Sequence, residues 1–257
     1  MEMPSRLNLE GPGQRADVPA RIAGLTMPMY LHEREHMNTT IAIIGAGPGL
    51  GLASARRFGA EGFNVALLSR TQEHVDALAA ELASAGTAAR GYATDVRDHE
   101  SLKTALAQAA DELGPIEILQ YSPVPSKDYL RPVLETTSEE LRSALEFSAL
   151  GAAAAMNAVL PGMRALGRGT ALFINGSSAV RPNHNYAGTS AAFAAESAYA
   201  QMLHDALAPE GIHVAQLIIP LGIGGGDPAH EPTALSETLW RIYGGGTGFR
   251  TFVTPLD

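Results

Sequence analysis

From residue 39 onward, short apolar runs alternate with longer stretches of helical period. Thr39-Thr40-Ile41-Ala42-Ile43-Ile44 is a β-branched run, and Val65-Ala66-Leu67-Leu68 repeats the theme one helical stretch later. Unbroken runs of this kind suit strands that are covered on both faces. The pattern predicts strands near 40–45, 63–68, 88–94, 116–121, 170–175, 213–219 and 249–253. Helices are predicted near 49–60, 71–84, 98–112, 137–164, 186–208 and 233–243. Regular alternation of the two is the mark of parallel βαβ units, so the expected fold class is α/β, a doubly wound parallel sheet of about seven strands flanked by helices.

Residues 1–36 break this rhythm. Pro4, Pro12, Pro19 and Pro28 interrupt every possible period, which predicts an irregular arm ahead of one domain over 37–257. Met37 stands directly before the first strand and is an alternative start of translation. The helices at 137–164 and 186–208 carry Ala152-Ala153-Ala154-Ala155 and Ala191-Ala192-Phe193-Ala194-Ala195, apolar on more than one face. Such helices lie either in the core or at a subunit interface of small residues; the second reading gives a homodimer or homotetramer.

Composition narrows the function. A chain of 257 residues, 46% hydrophobic and 18% charged, is long enough for one sizeable core. Its formal charge of -9 would repel phosphate backbones and anionic lipid, so no nucleic-acid or membrane-surface role is expected. The absence of cysteine removes disulfides and thiolate chemistry and fits a reducing cytoplasm. No uninterrupted apolar run reaches the ~18 residues of a membrane helix.

Directly after the first strand comes Gly45-Ala46-Gly47-Pro48-Gly49-Leu50-Gly51, opening a helix. Glycines let the backbone turn tightly and approach a pyrophosphate, whose charge then faces the positive end of the helix. In that context the fold class becomes Rossmann-type and the ligand a dinucleotide. At the end of the second strand, where an acidic residue would hold the adenine ribose, stand Ser69 and Arg70. A guanidinium there pairs with a 2′-phosphate, which favours NADP(H) over NAD(H). Asp95, after the third strand, is placed to accept from the adenine amino group or to cap the next helix.

Together the Gly45-x-x-x-Gly49-x-Gly51 spacing, Asp95-Val96, Leu160-Pro161-Gly162-Met163 and Gly211-Ile212-His213-Val214 resemble the short-chain dehydrogenase/reductase family over residues 38–257. The resemblance implies an oxidoreductase acting on a small organic carbonyl, enone or imine, with Val96 and Pro220 completing the cofactor-binding set. It also implies a catalytic Ser after the fifth strand, which Ser178 supplies with Ser177 beside it. In place of the family's Asn-Asn-Ala-Gly turn the sequence reads Tyr121-Ser122-Pro123-Val124, and Ser148 stands where relatives carry a helical Asn. By family spacing the reactive Tyr and Lys positions fall on Thr189 and Phe193. Neither replacement supplies a phenol or a cation, so proton transfer needs another donor. Tyr186, three residues ahead of Thr189 and forming Tyr-x-x-x-Ser with Ser190, is one candidate. Tyr121, expected to open onto the crevice, is a second, and His184 is placed to assist either. The departures leave two alternatives: a redox-inactive relative catalysing a cyclisation, dehydration or isomerisation, and a cofactor-binding pseudoenzyme.

Gly224-Gly225-Gly226-Asp227-Pro228 and the helix after it resemble a substrate lid near 222–243, with Trp240 either closing the pocket or packing its helix. His32-Glu33-Arg34-Glu35-His36 matches the zinc-protease spacing but sits in the irregular arm without a third ligand, so no metal is expected.

Overall fold

The computed structural model describes residues 39–245 and 248–256. The expected N-terminal arm and the His-Glu-x-x-His motif therefore lie outside the described residues.

Seven strands form one parallel sheet in the order β3-β2-β1-β4-β5-β6-β7. They are β1 Thr40–Ile44, β2 Asn64–Ser69, β3 Ala89–Ala93, β4 Ile116–Tyr121, β5 Gly169–Gly176, β6 Ile212–Ile219 and β7 Arg250–Phe252. The main helices are α1 Leu50–Gly59, α2 Gln72–Ser84, α3 His99–Leu113, α4 Ser138–Leu145, α5 Gly151–Leu166, α6 Ala187–Leu207 and α7 Pro232–Tyr243. The doubly wound sheet expected from the sequence is thus the observed one.

Side chains of successive strand residues point to opposite faces, and the two cores follow that period. Ala42 and Ile44 of β1 join Leu68, Leu119 and Phe173 under α3, α5 and α6. Ile41 and Ile43 join Val65, Leu67 and Leu172 under α1, α2 and α7. Every residue of β1 is buried, which is why the strand reads as an unbroken apolar run. Helix starts are fixed locally: the Asp98 side chain accepts from the Ser101 amide, and Thr137 with Glu140 makes a reciprocal capping box. Asp98, and not Asp95, is therefore the cap of α3, one residue before its first turn.

The long helix expected over 137–164 is present but irregular. A π-helical turn over Glu146–Leu150 joins α4 to α5, with the Gly151 amide bonded to the Glu146 carbonyl five residues back. Across 138–166 this helix is long and apolar enough, by length and composition alone, to cross a membrane. Its apolar side is spent on the sheet: Ala152, Ala155, Met156 and Met163 are fully buried inside the protein.

Between β3 and β4 the chain returns to the centre of the sheet and winds outward the other way, so β1 and β4 are neighbours although they are not consecutive. The helices leaving their carboxyl ends diverge, and the crevice opens there.

Candidate active site

Gly45 leaves β1 with φ +85°, a left-handed conformation that favours glycine, and a Cβ at this position would fall on Pro123 of the neighbouring β4 exit. Its amide and that of Ala46 both donate to the Leu68 carbonyl, at 2.9 and 3.0 Å, which locks the turn onto β2. Gly47 and Gly49 behave differently, since a Cβ on either would meet open space. Gly51 packs tightly, its Cβ position lying 3.0 Å from the Ala46 Cα, and so brings α1 close under the turn. Helix α1 starts at Leu50 with no side-chain cap. Among the described residues, no backbone acceptor outside the helix takes the amides of Gly47, Gly49, Leu50 or Gly51. A bare helix start with free amides and no Cβ above it fits a pyrophosphate.

Two cavities meet at this turn. One, of about 840 Å³, runs from Gly45 past Ser69, Arg70 and His74 to Asp95, Val96 and Arg97. Arg70 is exposed at its rim. The Asp95 carboxylate is held by Arg97, which donates Nε to Oδ1 at 3.2 Å, Nη2 to Oδ2 at 2.8 Å and its own amide to Oδ1 at 3.0 Å. Those hydrogen bonds keep Asp95 below the usual carboxylate range, so it remains an acceptor.

The second cavity, of about 1040 Å³, runs from Gly47, Gly49 and Leu50 to Ser177, Ser178, Tyr186 and Thr189. Ser178 sits in a single 3-10 turn, Ser177–Ala179, at the exit of β5. Tyr186 precedes α6 and is 45% exposed. Pro220, at the exit of β6, and Ile223 form another wall, and Phe193 reaches the same space from α6. Thr189 is buried, its hydroxyl donating to the Tyr186 carbonyl at 3.2 Å.

Two expectations are corrected. Tyr121 does not open onto the crevice: it is 1% exposed, and its hydroxyl donates to the Phe147 carbonyl of the π turn at 2.5 Å. Burial pushes its phenol well above the ordinary value, so it holds its proton. Ser148, in the same turn, is fully buried and lines neither cavity; it is bonded to Glu196 of α6. The lid is also shorter than expected. Helix α7 packs on α1, with the Trp240 ring 5.2 Å from that of Phe58 and the Arg57 guanidinium 4.4 Å above it. Only the stretch around Pro220 to Ile223 borders the cavity.

Glu196 is a residue that sequence reading passed over. It is 2% exposed, and burial raises its carboxyl to about 7 despite the bonds from Ser148 and Asn175 that oppose the rise. Asn175 Nδ2 donates to it at 3.0 Å, and Gln216 Nε2 donates to Asn175 Oδ1 at 2.7 Å. Ser148 Oγ also lies 3.2 Å from the Ala192 carbonyl. When Glu196 is ionised, Ser148 can donate to it; when protonated, Glu196 can donate to Ser148, which turns its own hydrogen to Ala192. Asn175 lines the larger cavity, so this buried carboxyl reaches the cleft through one side chain.

Comparison with known proteins gives a consistent picture. Residues 39–223 match the short chain dehydrogenase family. The chain is 32% identical over 173 residues to the short-chain reductase protein NovJ of Streptomyces niveus, covering 67% of this chain and 64% of that protein. It spans only 32% of serine 3-dehydrogenase from Rhizobium radiobacter, at 45% identity. Among solved structures, a short-chain dehydrogenase from Rhodopseudomonas palustris superposes with TM-score 0.75 at 28% identity, over 85% of this chain and 99% of the other.

Proposed function

The chain belongs to the short-chain dehydrogenase family, and from that membership we propose that it is an NADP(H)-dependent oxidoreductase reducing an organic carbonyl, enone or imine with an atypical proton donor. The observation that carries this reading is the larger cavity, because it joins the bare glycine turn to the hydroxyls of Ser178 and Tyr186 in one continuous space. The amides at Gly47, Gly49, Leu50 and Gly51 would hold the pyrophosphate, and Arg70 with Ser69 would meet the 2′-phosphate. Asp95 and Val96 would border the adenine, and Pro220 the nicotinamide end. The cofactor supplies a hydride when bound. Ser178 would polarise the acceptor oxygen, and Tyr186 would hand it a proton and be reprotonated from solvent, to which its ring is open.

Titration of the purified protein with NADPH and NADH, followed by NADPH oxidation over a panel of carbonyl compounds, tests the reading. NADPH should bind at least tenfold more tightly than NADH, and Arg70→Ala should remove that preference. Tyr186→Phe and Ser178→Ala should each lower turnover about 100-fold with NADPH affinity retained. Absence of any NADPH binding would overturn the whole reading.

A second reading is favoured by one observation: Phe193 occupies the cleft wall and no lysine lines the cavity among the described residues. It is a family member that binds NADP(H) without passing hydride, serving a non-redox step or binding alone. NADPH binding with no oxidation on any substrate would select it.

A further inference from the structure

The larger cavity is chemically one-sided. Its lining includes Arg181 and His184 but, among the described residues, not a single Asp, Glu or Lys. In a chain with 27 acidic and 18 basic residues that is a local reversal of sign. The adjoining smaller cavity carries Asp95, Asp128, Glu139 and Glu140, so the reversal belongs to this end of the crevice alone. The Arg181 guanidinium makes no ion pair among the described residues; of the two arginines lining the smaller cavity, Arg97 is held by Asp95, while Arg70 is likewise unpaired but lies at the adenine end.

The main chain that carries Arg181 is fixed at the cavity mouth. The Arg181 amide donates to the Ser177 carbonyl at 2.9 Å, so it is anchored to the turn that carries Ser178. The loop beyond it is tied at several points. Ser190 Oγ accepts from the Asn183 amide at 3.0 Å, the Val133 amide donates to the His184 carbonyl at 2.8 Å, and the Ala187 amide donates to the Arg131 carbonyl at 2.9 Å. The backbone at the cavity mouth is thus fixed, while the exposed Arg181 side chain is left free to turn onto an anion.

Around the same mouth stand large apolar side chains left in water: Val124 is 83% exposed, Leu130 43%, Tyr186 45%, Leu221 58% and Ile223 44%. Apolar groups gathered at the rim of one cavity mark a place where apolar surface is covered on binding.

Resting on the reading of this cleft as the substrate end of an oxidoreductase site, we infer that the second ligand is an amphiphilic carbonyl compound, its oxyanion group paired with Arg181 and its apolar body lying across Val124, Leu130, Leu221 and Ile223. The guanidinium offers two parallel donors to a carboxylate or phosphate, and no neighbouring carboxylate competes for them. The apolar wall offers a neutral polar substrate nothing.

Calorimetric titration with 4-oxododecanoate, 4-oxo-4-phenylbutanoate and their methyl esters tests this, first on the protein alone and then with saturating NADPH. The acids should bind at least tenfold more tightly than the esters, and the dodecanoate more tightly than the phenyl acid. Arg181→Gln should erase the difference between acid and ester while NADPH affinity stays within twofold. Inorganic phosphate at high concentration should weaken binding of the acids and leave that of the esters unchanged, because it competes for the same guanidinium. Equal affinity for acid and ester, an acid preference that survives in Arg181→Gln, or no binding of any probe would overturn the inference. Because binding is read directly, a protein that never oxidises NADPH still separates these outcomes, and failure of NADPH to bind shows in its own titration.

Discussion

Two side chains that the sequence offered as candidate catalytic groups, Tyr121 and Ser148, are interior structure, and both hang on the π turn. Tyr121 ends a buried strand on the same face as Leu119, whose alternation already directs it under the helices and away from the crevice. Tyr121→Phe should therefore cost about 1–2 kcal/mol in urea unfolding, the worth of a buried hydrogen bond, and leave cofactor affinity unchanged. Ser148 and Glu196 are 48 residues apart, and nothing local in the sequence joins them. Their pairing carries a pH signature. The Glu196 carboxyl titrates near 7 when folded and near 4.5 when not, so the folded state holds its proton over a range where the unfolded chain has lost it. Stability from this group is complete below about 4.5 and falls away as pH rises through about 7. A loss on the order of 3 kcal/mol is expected, since each pH unit of displacement is worth about 1.4 kcal/mol. Glu196→Gln keeps a neutral side chain that can accept from Asn175 and donate to Ser148. Its melting temperature should be flatter than the parent's between pH 5 and 8; an unchanged slope would place the titration elsewhere.

At the scale of elements, the seven strands were legible because parallel strands between two helical layers need apolar residues on both faces, and such runs stand out. Helix positions were legible from caps and period. The π turn was not, because a single wider turn changes the hydrophobic period over only five residues. Helix α7 was found, but its role was misread: glycines before it suggested a mobile cover, whereas Leu235, Leu239 and Ile242 sit in the core and fix it against α1. Of the candidate site, the glycine turn was legible from its spacing and Ser178 was implied by the family resemblance; both line the larger cavity. The cation-lined wall at Arg181 was not legible, since its sign emerges only when distant segments share one cavity. Gly45→Ala should destabilise the fold by more than about 2 kcal/mol, because left-handed backbone and the clash with Pro123 add together. Gly49→Ala faces open space and should spare stability while weakening NADPH binding tenfold or more. Thermal melts and titrations on the same two variants separate these effects.

For the molecule as a whole, the outer strip of α6 leaves Ala191, Ala198 and Met202 exposed, the last at 63%, and Leu150 of the π turn ahead of α5 is 50% exposed. We propose that these surfaces meet in a homodimer or homotetramer, as small residues let helices approach closely. Light scattering should give a mass above the monomer's 26.9 kDa, and Ala198→Glu should return it to that value. The protein's sole indole offers a different kind of handle. Trp240 is wedged against Phe58, the eighth residue after Leu50 on α1 and so about 12 Å along the helix from the glycine turn. Its emission should register whether α7 remains seated on α1 and ignore oxidised cofactor arriving at the other end. A denaturation curve followed by intrinsic fluorescence can then be recorded with the cleft filled or empty, making this tryptophan an optical reporter of folding that ligand does not disturb.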